Sequence, residues 1–537
     1  MAGSTDRTSH RGRLAAALGL ISAIGAAVVL TACSGSSKEA TPTQAASTSA
    51  PASSAAGTSS PAPNGTAAAT TAPAKDLKLL KAAPDNGPSG TAFTITGDGL
   101  PADKDAEVFW ATVDGSWDLI SSPENVQFNK RLFKDKLLSL GKTHIGADGK
   151  INASLVTPDD FGEVHDIFVS VAGENVGKTG FRIMRNVTIS PAQGPIGTPI
   201  NIKVTGLSWS QYSNTISVRY DNQPTGIITA VTTRGTATGV VRAAGTAGQH
   251  VIDIDHGARG VPFLNNQQSG TANIPDWRLF FTMTDDKTLP PAVVEWPDAS
   301  RVATITTAAP TSASAKPPAG NAKASLTPNS GPILSSTVFK ATGLAPNAPF
   351  ELFFVTARGN RANPSGWGLT DTSMGKATSG ADGSLTMNLK IPDDLGGWHV
   401  MKLASAEAII AEVPYFVERS LLDTGVTPQK VKAGDKITLH LKGVGWTELD
   451  NGTAITYDNG YIGFACGFNS NGDVTVNLIA SGAPGIHLID LYPMIYNGGH
   501  GDPLWGFQEP LLAFKEDAPG LSLGYRLPTF RLAIQVE

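Results

Sequence analysis

The chain has 537 residues, a formal net charge of −5 and only 16% charged residues, together with 58 Gly and 36 Pro. This length leaves room for about three to five domains, and the Gly and Pro content favours short strands and turns over coiled coils or helical bundles. No stretch is strongly basic, so the charge pattern excludes nucleic acid as a partner.

The N-terminus has the pattern of an export signal. Three arginines precede an uncharged run over residues 14–30, which ends in Leu30-Thr31-Ala32-Cys33. This order is typical of a signal peptide over residues 1–32, and its end resembles a bacterial lipobox. The resemblance implies that Cys33 is lipidated and that acyl chains hold the mature protein on the extracytoplasmic face of the cell membrane. A transmembrane anchor is the alternative, but the run is short for a span of roughly twenty residues.

Two segments rich in Ala, Ser, Thr and Pro divide the rest of the chain. Residues 33–75 cannot bury enough apolar surface to offset chain entropy, so we expect a lipid-anchored, disordered linker there. Residues 306–324 form a second linker between two halves of similar length. The chain has two cysteines. If Cys33 carries lipid, Cys466 has no disulfide partner in the chain, and we predict that it is a buried, inert thiol.

Each half contains two repeats that open in the same way. A proline is followed fifteen residues later by a glycine, at Pro84/Gly99, Pro191/Gly206, Pro328/Gly343 and Pro428/Gly443. Apolar residues alternate between them, as in a half-buried strand. The fuller form, Pro84-x-x-Gly87-Pro88-x-Gly90-Thr91, resembles the opening of bacterial immunoglobulin-like modules of the IPT/TIG type. With about one hundred residues and short strands per repeat, we predict an all-β fold of four tandem Ig-like antiparallel β-sandwich modules.

The four modules are of two kinds in the order A, B, A, B, which indicates duplication of a two-module unit. The A kind carries Pro-Asp-Asp-x-Gly-x-x-His, and the B kind carries Gly-x-x-Trp, Tyr-Asp-Asn and His-x-Ile-Asp at matching gaps. The predicted boundaries are A1 76–186, B1 187–305, A2 325–420 and B2 421–537.

One segment of A1, residues 123–141, departs from the strand pattern. Ser122 can cap a helix and Pro123 suits the first helical position. Apolar residues then recur at helical spacing, at Phe128, Leu132, Phe133 and Leu137. We therefore predict a short helix that either covers an open sheet edge or contacts a partner.

Repeated histidines are the first candidates for chemistry, at His165, His250, His399 and His487. Strand parity places His250 on the same face as Ile252, whereas Asp253 points to the opposite face. We therefore expect structural imidazoles at the rim of the core that hydrogen-bond turn carbonyls. The sequence has no catalytic motif, no metal-ligand spacing and no cofactor-binding loop. It thus predicts no catalytic residue, no metal and no cofactor.

Acidic motifs are the second candidates. Three Asp pairs lie beside Pro or Gly or in short turns, at Asp159-Asp160, Asp285-Asp286 and Asp393-Asp394. We interpret these as solvated turn carboxylates rather than as acid–base pairs or calcium ligands. The Tyr-Asp-Asn triplets, which end alternating strands, are predicted to form Asx-type turns.

Module B2 is the candidate for ligand binding. B1 keeps the same framework but has none of the tyrosines that B2 carries here. The hypothesis names five residues of B2: Tyr461, Asp490, Tyr492, Tyr496 and Trp505. Aromatic faces beside carboxylates suit sugars or other flat polar ligands. The alternative is that these rings cover a core or a contact between modules.

The functional prediction is a noncatalytic cell-surface lipoprotein whose modules bind or adhere to an extracellular or cell-wall ligand. Its expected partners are the membrane, through the lipid anchor, and a wall polysaccharide or an envelope protein. A structural spacer within an envelope assembly and an unrecognised extracellular hydrolase are the alternatives. The sequence excludes a two-lobed solute receptor because the alternating helices of that fold are missing.

Overall fold

The computed structural model describes residues 77–537 with short gaps, so the signal peptide, Cys33 and the first linker lie outside the described residues. The gaps are 211–212, 257–263, 266, 268–276, 286, 307–308, 310–317, 360–366, 407, 468–470, 497–499 and 503–507. The described residues belong to one compact unit, Ala72–Glu537.

The first half consists of modules A1 and B1. The strands of A1 are β1 (Lys78–Leu79), β2 (Lys81–Ala83), β3 (Asn86–Gly87), β4 (Ala92–Gly97), β5 (Lys104–Ser122), β6 (Asn125–Ile145), β7 (Ile151–Val156), β8 (Glu163–Val171) and β9 (Glu174–Ile183). The strands of B1 are β10 (Asn186–Ser190), β11 (Gln193–Gly194), β12 (Pro199–Thr205), β13 (Thr215–Tyr220), β14 (Gln223–Thr229), β15 (Ala237–Arg242), β16 (Gly248–His256) and β17 (Trp277–Met283).

The second half repeats this order. After β18 (Val293–Glu295), the strands of A2 are β19 (Lys323–Thr327), β20 (Ser330–Pro332), β21 (Ser336–Thr342), β22 (Pro349–Gly359), β23 (Trp367–Thr378), β24 (Leu385–Lys390), β25 (Gly397–Ser405) and β26 (Ala408–Glu418). Those of B2 are β27 (Ser420–Thr427), β28 (Lys430–Val431), β29 (Lys436–Lys442), β30 (Gly452–Tyr457), β31 (Gly460–Cys466), β32 (Val474–Ile479), β33 (Gly485–Pro493) and β34 (Thr529–Val536), with a 3-10 turn at Pro519–Leu523.

Every module is a sandwich of a three-stranded sheet and a larger sheet of five or six strands. The three-stranded sheets are β2-β4-β7, β10-β12-β15, β19-β21-β24 and β27-β29-β32. Alternating side chains fill the space between the two layers, as the apolar periodicity predicts. The predicted all-β fold of tandem Ig-like sandwiches is therefore confirmed.

The repeated Pro and Gly positions lie where the chain changes sheet or direction. In A1, Pro84 separates β2, in the small sheet, from β3, which pairs in parallel with the last strand of the large sheet. All four opening prolines follow a cis peptide bond. The four glycines fifteen residues later have φ between 67° and 74°, a left-handed conformation that favours glycine.

The helix predicted over 123–141 is wrong, because this segment is the second arm of a long hairpin. Strands β5 and β6 pair along their length, with Ser122 opposite Asn125. Proline at the first position of a tight turn fits the same sequence as proline at the start of a helix. Leu132 and Leu137, two residues of the apparent helical stripe, are 38% and 54% exposed.

The four modules share a central core as well as having cores of their own. This central core contains Trp117, Val126 and Phe128 of the A1 hairpin, Ile227 and Val231 of B1, Val355, Trp398, Val400 and Phe416 of A2, and Leu449, Leu511, Phe514 and Tyr525 of B2. Strand β18 also crosses between halves, because it pairs with β34 of the B2 sheet. The chain therefore folds back on itself and is not a row of separate domains.

Candidate functional site

The histidines of the A modules are held by the backbone. His165 lies between the carbonyl oxygens of Ala111 and Phe161, with Nδ1···O at 2.9 Å and Nε2···O at 2.8 Å. His399 repeats this arrangement with Val355 and Leu395. Burial lowers the pKa of His399, although its hydrogen bonds to the two carbonyl oxygens act in the opposite direction. Both ring nitrogens are engaged, which matches the predicted structural role.

The histidines of the B modules pair with the acidic residue of the Tyr-Asp-Asn motif. Nδ1 of His250 lies 2.6 Å from Asp221, and Nδ1 of His487 lies 2.6 Å from Asp458. This hydrogen bond to Asp458 raises the pKa of His487. The second ring nitrogen of each histidine faces a turn carbonyl, as predicted.

The Tyr-Asp-Asn triplets form tight hairpin turns rather than Asx-type turns. Asp458 and Asn459 both have positive φ and connect β30 to β31, as two-residue hairpin loops require. The carboxylate of Asp458 accepts a hydrogen bond from the amide of Leu488, on the neighbouring strand, instead of binding its own turn. The motif thus fixes the start of β33.

The second aspartates of the Pro-Asp-Asp motifs are buried, so their interpretation as solvated carboxylates is wrong. Asp160 is fully buried and accepts hydrogen bonds from the indole of Trp110 at 2.8 Å and the amide of Phe161 at 2.9 Å. Asp394 is 4% exposed; burial opposes its ionisation, but hydrogen bonds from Arg358 and from the backbone outweigh burial and lower its pKa. In these two pairs only the first aspartate is exposed, and Asp286 of the third pair lies outside the described residues.

These motifs meet at the junction between an A module and the B module that follows it. The amide of Gly162 donates to the carbonyl of Leu207 at 3.0 Å. A Cβ at Gly162 would lie 1.9 Å from the carbonyl oxygen of Gly206, and one at Gly396 would clash in the same way with Gly443. Close backbone contact therefore requires both glycines. The A–B motifs explain packing rather than catalysis.

The tip of the A1 hairpin docks on module B2. The indole Nε1 of Trp446 donates to the carbonyl of Glu124 at 2.8 Å. The buried carboxylate of Glu448 accepts a hydrogen bond from the amide of Phe128 at 2.9 Å. Arg131 forms a largely buried ion pair with Asp502 at 2.8 Å. The segment predicted as a helix thus joins the two halves of the chain.

Asp517 is a second point at which the modules converge. Its carboxylate is 1% exposed. It accepts hydrogen bonds from the indole of Trp117 in A1, from the hydroxyl of Thr229, from the amides of Val231 and Thr232, and from the hydroxyl of Thr232. A buried carboxylate is stable only when such donors surround it. No sequence pattern points to this residue, because its partners are distant in the chain.

Two residues of the ligand-binding hypothesis, Asp490 and Tyr492, lie in a buried contact between B1 and B2. Asp490 is 2% exposed and pairs with Arg242 of B1 and with Arg531, whose Nη1 lies 2.9 Å away. Tyr492 has no exposed surface and donates its hydroxyl to the carbonyl of Val240 at 3.1 Å. This is the packing alternative, so neither residue enters the proposal below.

Tyr461 and Tyr496 lie at the edge of B2, and Trp505 lies outside the described residues. Tyr461 is half-buried and donates to the carbonyl of Gln508 at 2.6 Å, and burial together with Glu509 raises its pKa to about 12. The ring of Tyr496 lies 5.9 Å from that of Phe464. Phe464 and Ile462, on the same strand as Tyr461, are 42% and 51% exposed. We call Tyr461, Ile462, Phe464 and Tyr496 the β31 rim.

Cys466, at the end of β31, is half-buried rather than fully buried. Within the described residues, no group of three or more His, Cys, Asp or Glu side chains could hold a metal ion. Among the same residues, no helix has the length and apolar character needed to cross a membrane.

Comparisons with known proteins give limited likenesses. No family model matches the chain. An alpha-2-macroglobulin homolog of Nostoc sp. is 31% identical over 107 residues, which cover 19% of this chain and 6% of that protein's length. Among solved structures, invasin, a bacterial integrin-binding protein, is 11% identical with a TM-score of 0.17, covering 77% of this chain and 76% of invasin. A membrane-anchored protein of Corynebacterium diphtheriae is 12% identical with a TM-score of 0.16, covering 63% and 90%. These likenesses carry no functional conclusion.

Proposed function

We propose that this chain is a noncatalytic lipoprotein of the bacterial cell surface, held by lipid at Cys33. Its four modules, of the IPT/TIG type, form a platform that binds a cell-wall or extracellular ligand. One observation carries the noncatalytic assignment. The repeated histidines and the buried aspartates of the repeated motifs are occupied by contacts that position one strand or module against the next.

The packing of the modules favours a binding platform over a spacer. A spacer gains reach from modules arranged in a row, whereas here the A1 hairpin contacts B2 and all four modules contribute to one core.

The β31 rim is the surface that we assign to the ligand. Exposed apolar side chains that cluster beside tyrosines mark binding surfaces more often than scattered ones do. Phe464 and Ile462 present apolar area to solvent, and Tyr496 extends it across a neighbouring loop. Aromatic rings with a polar edge suit a wall polymer or a partner protein.

The test compares the full chain with Phe464→Ser and with Cys33→Ala. We expect Phe464→Ser to retain several-fold less protein on isolated cell-wall material, because it removes the largest exposed ring of the rim. We expect Cys33→Ala to move the protein from the membrane to the soluble fraction, because the acyl anchor is lost.

Ile479→Ser is the matched control, since Ile479 is 60% exposed on β32, away from the rim. Equal retention of the parent, Phe464→Ser and Ile479→Ser would remove the rim from the proposal. Parent protein that binds neither wall material nor any surface-exposed polymer or protein would overturn the function itself.

A further inference from the structure

A second surface, distinct from the β31 rim, lies where A1 meets B1. It is an open cleft of about 510 Å³, a volume within the range of small-ligand sites. Strand β5 contributes Thr112, β6 contributes Asp135 and Leu137, and β8 contributes Val164. Trp209 of the Gly-x-x-Trp motif lines it from B1. We call this the A1–B1 cleft.

The duplicated half of the chain supplies a matched comparison. Trp446, the counterpart of Trp209, is 1% exposed and donates its indole N–H to the A1 hairpin. Trp209 is only half-buried, and its indole N–H has no hydrogen-bond partner among the described residues. The same motif is therefore covered in one half and open in the other.

The sheet face beside the tryptophan is also buried in the second half and exposed in the first. In A2, Trp398 and Val400 are almost fully buried in the central core, against Tyr525 and its neighbours. The corresponding positions of A1 are Val164, which is 49% exposed, and Asp166. Because A1 and A2 share the same scaffold, the exposure of this face in A1 is not needed to form the scaffold. A1 lacks the apolar residues that bury this face in A2, and its face is open.

The lining combines groups that suit a sugar ring. The hydroxyl of Thr112 is buried with no partner among the described residues, whereas its counterpart Thr356 donates to Asp394. The carboxylate of Asp135 is exposed. Leu137 and Val164 give an apolar wall. A pyranose ring presents hydroxyls at its edge and C–H groups on its faces, so it can use donors, acceptors and an apolar wall together.

We propose that the A1–B1 cleft binds a pyranose unit of a glycan, with the indole N–H of Trp209 and the carboxylate of Asp135 directing the hydroxyls. This rests on the proposed binding function and names a ligand class and a second site for it. A protein segment is the competing occupant, because a hairpin fills the equivalent place in the other half. That hairpin buries apolar residues such as Val126 and Phe128, and the smaller, more polar A1 face offers no matching apolar surface.

The test measures binding of the full chain to a glycan array, followed by titration with the best soluble oligosaccharide. Trp209→Phe keeps a ring and removes the N–H. Asp135→Asn changes an exposed side chain and leaves the fold intact. Each should weaken binding about tenfold, the effect of one lost hydrogen bond. Trp446→Phe, the twin substitution at the covered site, should leave affinity unchanged.

Several outcomes would overturn this inference. They are no glycan bound above background, affinities of Trp209→Phe and Asp135→Asn equal to the parent, or an equal loss in Trp446→Phe. Binding to a peptide array but not to glycans would assign the cleft to a protein partner instead. Loss of wall binding in Phe464→Ser with parental oligosaccharide binding in Trp209→Phe would reject the cleft and leave the proposed function standing.

Discussion

Single backbone positions show how the repeat tolerates departures from its motif. The residue six positions after the opening proline is Gly90 in A1 and Gly197 in B1, both with φ of 83°. In A2 this position is Leu334, with φ of 61°. A left-handed conformation costs a non-glycine residue about 1–2 kcal/mol. Leu334 is 51% exposed, so the packing of its side chain offsets only part of that cost.

Adding a glycine at Leu334 and removing one at Gly90 should therefore change the free energy of unfolding in opposite directions. Leu334→Gly should stabilise the chain by about 0.5–1 kcal/mol, because relief of strain exceeds the added chain entropy. Gly90→Ala should destabilise it by about 1 kcal/mol through strain alone, since a Cβ there meets no atom within 4 Å. Thermal unfolding measures both. The same sign of change in the two variants would contradict this account.

The A1 hairpin is the element that the sequence described least well. Short strands followed from local alternation, and the junction glycines and histidines followed from spacing inside the chain. The hairpin did not, because the group that binds the Phe128 amide lies 320 residues away. Asp490 and Tyr492 were assigned to a ligand for the same reason: their partners Arg242 and Val240 are 248 and 252 residues distant.

Asp517 joins the hairpin to B1, because its carboxylate accepts hydrogen bonds from Trp117 and from residues 229–232. Asp517→Ala should cost roughly 3–5 kcal/mol, since it leaves the donors of Trp117, Thr229, Val231 and Thr232, three of them in buried residues, without their acceptor. Asp298→Ala is the control: its exposed carboxylate also accepts hydrogen bonds from a backbone amide and a hydroxyl, and its loss should cost less than about 1 kcal/mol. Comparable melting temperatures for the two variants would show that Asp517 does not hold the modules together.

At the scale of the whole molecule, the four modules differ in what their large sheets face. The outer face of A2 is buried in the central core, whereas that of A1 borders an open cleft. Duplication thus produced two equivalent scaffolds with different exposures. A body built this way can hold two surfaces, the β31 rim and the A1–B1 cleft, at a fixed separation, which loosely linked modules cannot do.

A shared core should also couple the stability of the modules. Phe128→Ala removes a fully buried ring from the cluster to which all four modules contribute, at a cost of about 3–5 kcal/mol. Amide hydrogen exchange should then accelerate in A2 and B2 as well as in A1. Phe93→Ala makes the same chemical change inside the separate core of A1, so its faster exchange should be confined to A1. If the two variants give the same pattern, restricted to A1, then the modules open independently and the central core is only a contact surface.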